Sequence, residues 1–138
     1  MRYVIAPDAA SRLLAERAAP PPHARLLAPT LLRSQILAEL YAAARAGAFD
    51  RIEARQRLDH MRRLDIRLLG DRVLQARAWE LAERLGWADT FMAEYLALTQ
   101  LQADALVTLD AGLARVAAPI VPLASYAQML AGDPPAAR

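Results

Sequence analysis

A three-layer α/β/α domain around a parallel central sheet of about four to five strands is the fold this sequence predicts. Three observations carry it. Short apolar and β-branched runs recur along the 138 residues, and stretches with helical spacing separate them. Proline, glycine and aspartate stand at the junctions between the two kinds of segment, where caps and turns are needed. A hydrophobic content of 56% supplies a core and excludes a disordered chain.

The elements follow in order. Arg2 to Ile5 reads as the first strand, and after Pro7-Asp8 the stretch Ala9 to Arg17 reads as a helix with Leu13 and Leu14 inward. The segment 18–24, with Pro20, Pro21 and Pro22 in a row, is a stiff surface connection. Leu26 and Leu27 end a short buried segment, and Pro29 suits the first turn of a long helix that runs to about Ala46 and stops at Gly47. Asp50 can cap a helix from Arg51 to about Leu64, with Ile52, Leu58 and Met61 on a buried stripe. Ile66 to Leu69 is a strand. Asp71 then caps a helix carrying Val73, Leu74, Ala78, Leu81, Ala82 and Leu85, which Gly86 closes. A further helix starts at Ala88 or Asp89 and ends near Leu101. Ala105 to Thr108 is a buried strand ending at Asp110, Ile120 to Leu123 a last strand, and Ser125 to Leu130 a last helix. One domain over 1–131 is expected, followed by a tail, 132–138, expected to be mobile.

Composition narrows the chemistry. Without cysteine there are no disulfides, thiolate metal sites or cysteine nucleophiles, and His23 and His60 alone supply histidine chemistry poorly. Any metal would be held by carboxylates. No apolar run is long enough for a membrane span, and the opening lacks a secretory pattern, so a soluble cytoplasmic protein is expected. The net charge of +2 permits a nucleic-acid partner without demanding one. All seventeen basic residues are Arg, and the dense stretch from Arg51 to Arg67 also holds Glu53, Asp59 and Asp65, as a solvated helix face would. Phosphate-loop and dinucleotide-loop glycine patterns are absent. Acids stand instead where a parallel sheet exposes its strand ends: Asp8 after the first strand and Asp110 after the fourth. Carboxylates gathered there can hold Mg²⁺ or Mn²⁺, although acids after strands also serve as helix caps.

Two segments carry a family resemblance. Leu85-Gly86-Trp87-Ala88-Asp89-Thr90-Phe91-Met92-Ala93-Glu94-Tyr95-Leu96-Ala97-Leu98-Thr99, then Leu106-Val107-Thr108-Leu109-Asp110 and Leu113-Ala114-Arg115, resembles the carboxyl-terminal half of PIN-domain ribonucleases of the VapC toxin type. Leu26-Leu27-Ala28-Pro29-Thr30-Leu31-Leu32 and the helix through Leu40 is similar to the same family's L-x-A-P-x-L-L pattern, and Tyr3 to Ala10 is a third match. The resemblance implies a Mg²⁺- or Mn²⁺-dependent endoribonuclease, an RNA substrate, an antitoxin protein as partner and a homodimer.

It also implies a site of three or four acids, of which Asp110 is in register, with Thr108 before it. Ala6, Gln35 and Met92 occupy the other three acidic positions. Asp8, Glu39 and Asp89 stand close by at i+2, i+4 and i−3, which suggests a relocated site. On that reading Asp8, Asp89 and Asp110 are catalytic, these three with Glu39 hold metal, and Gln35 and Thr108 contact substrate. The competing readings are an N-cap for Asp89, a surface residue near Arg33 or Arg45 for Glu39, a space-filler for Met92, a solvated Glu94, and core or rim places for Trp79, Trp87 and Tyr95. The alternative function is a catalytically inactive PIN-fold protein that binds RNA or a protein partner.

Overall fold

The computed structural model describes residues 1–135. Its order is β1 (Arg2–Ile5), α1 (Pro7–Glu16), β2 (Arg25–Pro29), α2 (Leu31–Arg45), α3 (Arg51–Arg63), β3 (Arg67–Leu69), α4 (Arg72–Leu85), α5 (Phe91–Gln102), β4 (Ala105–Val107), α6 (Ala111–Ala117), β5 (Leu123–Ala124) and α7 (Tyr126–Ala131). All strands pair in parallel in the order β3-β2-β1-β4-β5. The chain moves outward from β1 through β2 to β3, then returns past both to β4. With right-handed crossovers, the return helices must lie on the face opposite the outward ones. The contacts agree: α1, α2 and α3 pack on one another, while α4 packs on α5, which covers β1, β2 and β4. This is the expected three-layer architecture.

Local chemistry explains the element ends. Pro7 opens α1, and Asp8 lies in its first turn, where the helix dipole favours a negative charge. Leu32, Ile36 and Leu40 repeat at one-turn spacing and are the buried stripe of α2. Asp50 and Asp71 cap α3 and α4 by accepting from Glu53 N and Leu74 N at 2.8 Å each. Ser125 and Gln128 form a reciprocal capping box at α7. Buried Tyr3, Val4 and Ile5 of β1 and Ala105 to Val107 of β4 sit at the centre of the core, under the nearly continuous buried run from Tyr95 to Thr99. No helix among the described residues is long and apolar enough to cross a membrane.

Several expectations need correction. Pro29 ends β2 and does not start α2; as the final strand residue it pairs with Leu69. The last strand is Leu123–Ala124, displaced from the expected Ile120 to Leu123, because Ala117 O accepts from both Ile120 N and Val121 N in a turn that closes α6. Helix α3 has no fully buried residue, and Ile52 is 68% exposed. It is held by Leu58 and Met61 at its base and by Arg17, which reaches Glu53 at 2.9 Å. Val73 and Trp79 of α4 are also exposed, so the inward stripe there narrows to Leu74, Ala78, Leu81 and Ala82. The start of the expected tail is tied down at Asp133, whose carbonyl accepts from the Tyr3 hydroxyl. Gly132 is buried at φ +73°, where a Cβ would come within 2.4 Å of His23 Nε2. Residues 136–138 of that tail lie outside the described residues.

Candidate functional site

The turning point of the topology places the site. Strands β1 and β4 are neighbours, but the connections leaving their carboxyl ends depart to opposite faces of the sheet. Such a switch point opens a crevice where α/β proteins take ligands. The two strands are pinned there by Ala6 N donating to Val107 O at 2.9 Å. Above them is a shallow cleft of about 400 Å³, with Asp8, Thr108 and Asp110 as its polar residues. Ala6, Met92, Trp87 and Val116 are among its apolar walls.

Hydrogen bonds fix the polar groups. Asp8 Oδ2 accepts from Thr108 Oγ1 and Leu109 N, both at 3.1 Å, and Oδ1 accepts from Ala9 N at 2.7 Å. The Asp8 carboxylate thus bridges the segments that follow β1 and β4. Thr108 Oγ1 in turn accepts from Asp110 N at 3.1 Å. Asp110 is the N-cap of α6, its Oδ1 accepting from Gly112 N at 2.8 Å. Glycine suits position 112, since a Cβ there would come within 3.2 Å of that oxygen. Among the described residues no hydrogen bond to Asp110 Oδ2 is found, so one carboxylate oxygen is uncommitted.

Of the residues singled out in the sequence, the fold brings Asp8, Thr108 and Asp110 together at one cleft, with Ala6 and Met92 beside them. Asp89, Glu39 and Gln35 do not line it. Asp89 is exposed and, contrary to the expected N-cap, stands one residue before the N-cap Thr90; α5 starts at Phe91, later than expected, and Asp89 accepts from Phe91 N at 3.1 Å in the turn that leads into it. Glu39 is exposed on α2 and accepts from Ser11 Oγ at 2.8 Å, neither near-by arginine being its partner. Gln35 Oε1 accepts from the buried Tyr95 hydroxyl at 2.6 Å. Burial, aided by the Glu94 charge, holds the Tyr95 hydroxyl well above its ordinary pKa, so it remains a neutral donor to Gln35. No family model matches the chain, and no curated protein matches it.

The donor set bears on a divalent ion. No group of three or more His, Asp or Glu suited to a metal occurs among the described residues. Two carboxylates with a hydroxyl between them fit Mg²⁺ or Mn²⁺ only in a shared form, because Mg²⁺ keeps waters and is commonly held by one or two carboxylates together with substrate phosphates. Asp8→Ala is expected to destabilise the fold by about 1–3 kcal/mol, since it strips Leu109 N and Thr108 of their acceptor. A urea titration beside wild type reads this; an unchanged midpoint would show that the bridge contributes nothing.

The expectation of a solvated Glu94 needs correction. Glu94 is half-buried, and desolvation raises its pKa above the usual carboxylate value. Its place in the first turn of α5 favours a negative charge, but burial outweighs the dipole. The signal was an acid set inside a run of buried residues, Ala93 and Tyr95 to Thr99. A carboxyl with a raised folded pKa carries no penalty below the unfolded value of about 4.3, and the penalty develops as pH rises through the folded value. Glu94→Gln is therefore expected to melt above wild type at about pH 7 and to converge with it near pH 4. Melting curves across that range check the sign; a variant less stable at neutral pH would reverse it.

Proposed function

We propose that the chain is a PIN-like endoribonuclease of the toxin type, acting on RNA phosphodiesters with Mg²⁺ or Mn²⁺ held by Asp110 and Asp8. The observation supporting this is that both carboxylates and Thr108 meet in one cleft at the switch point between β1 and β4. When bound, the ion would acidify water and offset charge on the phosphodiester. Asp110 offers an uncommitted oxygen on a carboxylate already oriented by Gly112 N. Asp8 is held by Thr108 and Leu109, so its charge stays facing the strand ends without reorganisation when substrate arrives. With Ala6 and Met92 neutral, Asp8 and Asp110 alone would hold the ion weakly, and a substrate phosphate would be needed to supply the remaining charge.

The same proposal includes an antitoxin protein and a homodimer. Leu37 and Tyr41 of α2 and Ile52 of α3 are exposed apolar surface that a protein partner would cover. A second reading, an inactive PIN-fold protein that binds RNA or a protein, is favoured by the apolar lining and by Asp8, both of whose oxygens already accept from protein donors. Incubating labelled single-stranded RNA with the purified chain in Mn²⁺ and in chelator separates them. Fragments that appear only with Mn²⁺ are expected; RNA retained intact in both supports the second reading.

A further inference from the structure

The end of the sheet opposite the cleft has a different charge. There the starts of β1, β2 and β3 bring Arg2, Arg25 and Arg67 to one edge, and Arg63 joins them from the last turn of α3. These residues line a recessed cavity of about 500 Å³, larger than the switch-point cleft. Asp65 is the one acid in its lining, beside the four arginines Arg2, Arg25, Arg63 and Arg67. The guanidiniums of Arg25, Arg63 and Arg67 have no hydrogen bond or ion pair among the described residues; other surface arginines, such as Arg45 and Arg84, are also unpaired, but these three are gathered in one recess. Arg2 has a partial partner in Gln102 O, at 3.1 Å, which fixes its guanidinium without neutralising it.

We propose that this cavity is a binding site for a small oligophosphate anion. Like charges gathered in a recess repel one another, and an anion of several charges removes that repulsion while gaining charge-assisted hydrogen bonds. Arginine's planar fork matches phosphate oxygens in pairs, and four forks call for more charge than a single carboxylate carries. The wall formed by Pro20, Pro21 and Pro22 has no backbone N–H to offer, which leaves recognition to the guanidiniums. The volume lies within the range of small-ligand sites, and the recessed shape suits a compact anion better than a continuous strand. The site is independent of the switch-point cleft, since the two lie at opposite ends of the same parallel strands.

Calorimetric titration with tripolyphosphate, at low ionic strength and without divalent ions, tests it. One saturable site per chain is expected. Arg25→Gln/Arg67→Gln, and separately Arg63→Gln, should each weaken binding by about tenfold or more. All three arginines are exposed, so these variants should melt as wild type does. A charge-matched control, Arg45→Gln/Arg84→Gln, and the cleft variant Asp110→Asn should bind as wild type. Absence of saturable heat, equal weakening in the control, or a single-stranded RNA that binds through these arginines when tripolyphosphate does not would overturn the proposal.

Discussion

Asp110→Asn is expected to lower Mn²⁺-dependent RNA cleavage by about a hundredfold or more while leaving the fold intact. Two properties of position 110 make the experiment clean. As the N-cap of α6 it needs a side-chain oxygen to accept from Gly112 N, and asparagine caps about as well as aspartate. The substitution therefore keeps the local structure and removes one negative charge. That charge is half of the carboxylate set at the cleft, and groups merely supporting metal ligands already contribute about 10- to 100-fold. The loss should appear in kcat/KM, because a weakened ion stabilises the transition state less. Equal cleavage by variant and wild type would place the activity elsewhere.

The second large effect comes from rebuilding the cleft. Ala6 and Met92 line it beside Asp8 and Asp110, so Ala6→Asp with Met92→Asp would put four carboxylates around one space. Ala6 is 1% exposed and stands at the N-cap of α1 without a side-chain bond. An aspartate there would gain a capping interaction of about 0.5–2 kcal/mol. The burial of a new charge beside existing ones opposes this and outweighs it, because it raises carboxyl pKa values and costs several kcal/mol, ~3 or more, without a counter-ion. The double variant is thus expected to melt below wild type in chelator and to recover in Mn²⁺. An ion at a hundred times its Kd restores about 2.7 kcal/mol. Cleavage should rise with it. Gln35→Glu, the third position given by the resemblance, should add little, because Gln35 does not line the cleft and is held by Tyr95. Melting in chelator and in Mn²⁺, run beside an RNA assay, decides this; a variant indifferent to Mn²⁺ would show that the cleft cannot gather its carboxylates on an ion.

Much of the architecture was legible because strong local signals agreed. Asp50, Asp71, Gly86 and Ser125 mark helix ends by chemistry that tertiary packing does not override. At Pro29 the sequence is ambiguous, because a proline is compatible both with a first helical turn and with the last residue of a strand, and only pairing with Leu69 distinguishes them. The stripe assigned to α3 failed at Ile52 because helix spacing says which residues share a face, while the packing partner determines how far that face is covered. At the site, Asp8 and Asp110 could be placed together since both follow strands, and strand ends in a parallel sheet converge. Asp89, Glu39 and Gln35 could not be placed from spacing. A one-turn offset along a helix and the entry angle of α5 determine whether a side chain reaches the cleft, and both depend on packing across layers. The grouping at the opposite edge is not legible in the sequence: Arg63 and Arg67 fall in the dense stretch read as a solvated helix face, and Arg2 and Arg25, distant from them in sequence, join them only when three strands start side by side.

The central claim is that Asp8 and Asp110 share a divalent ion with an RNA phosphate. Crystals grown with Mn²⁺ and a non-cleavable RNA dinucleotide, recorded at a wavelength where manganese scatters anomalously, test it most directly. One anomalous peak is predicted within bonding distance of Asp110, next to Asp8 and a phosphate oxygen, and it should vanish in Asp110→Asn. A dinucleotide bound in the cleft with no peak there, or a peak held only by residues elsewhere, would contradict the account.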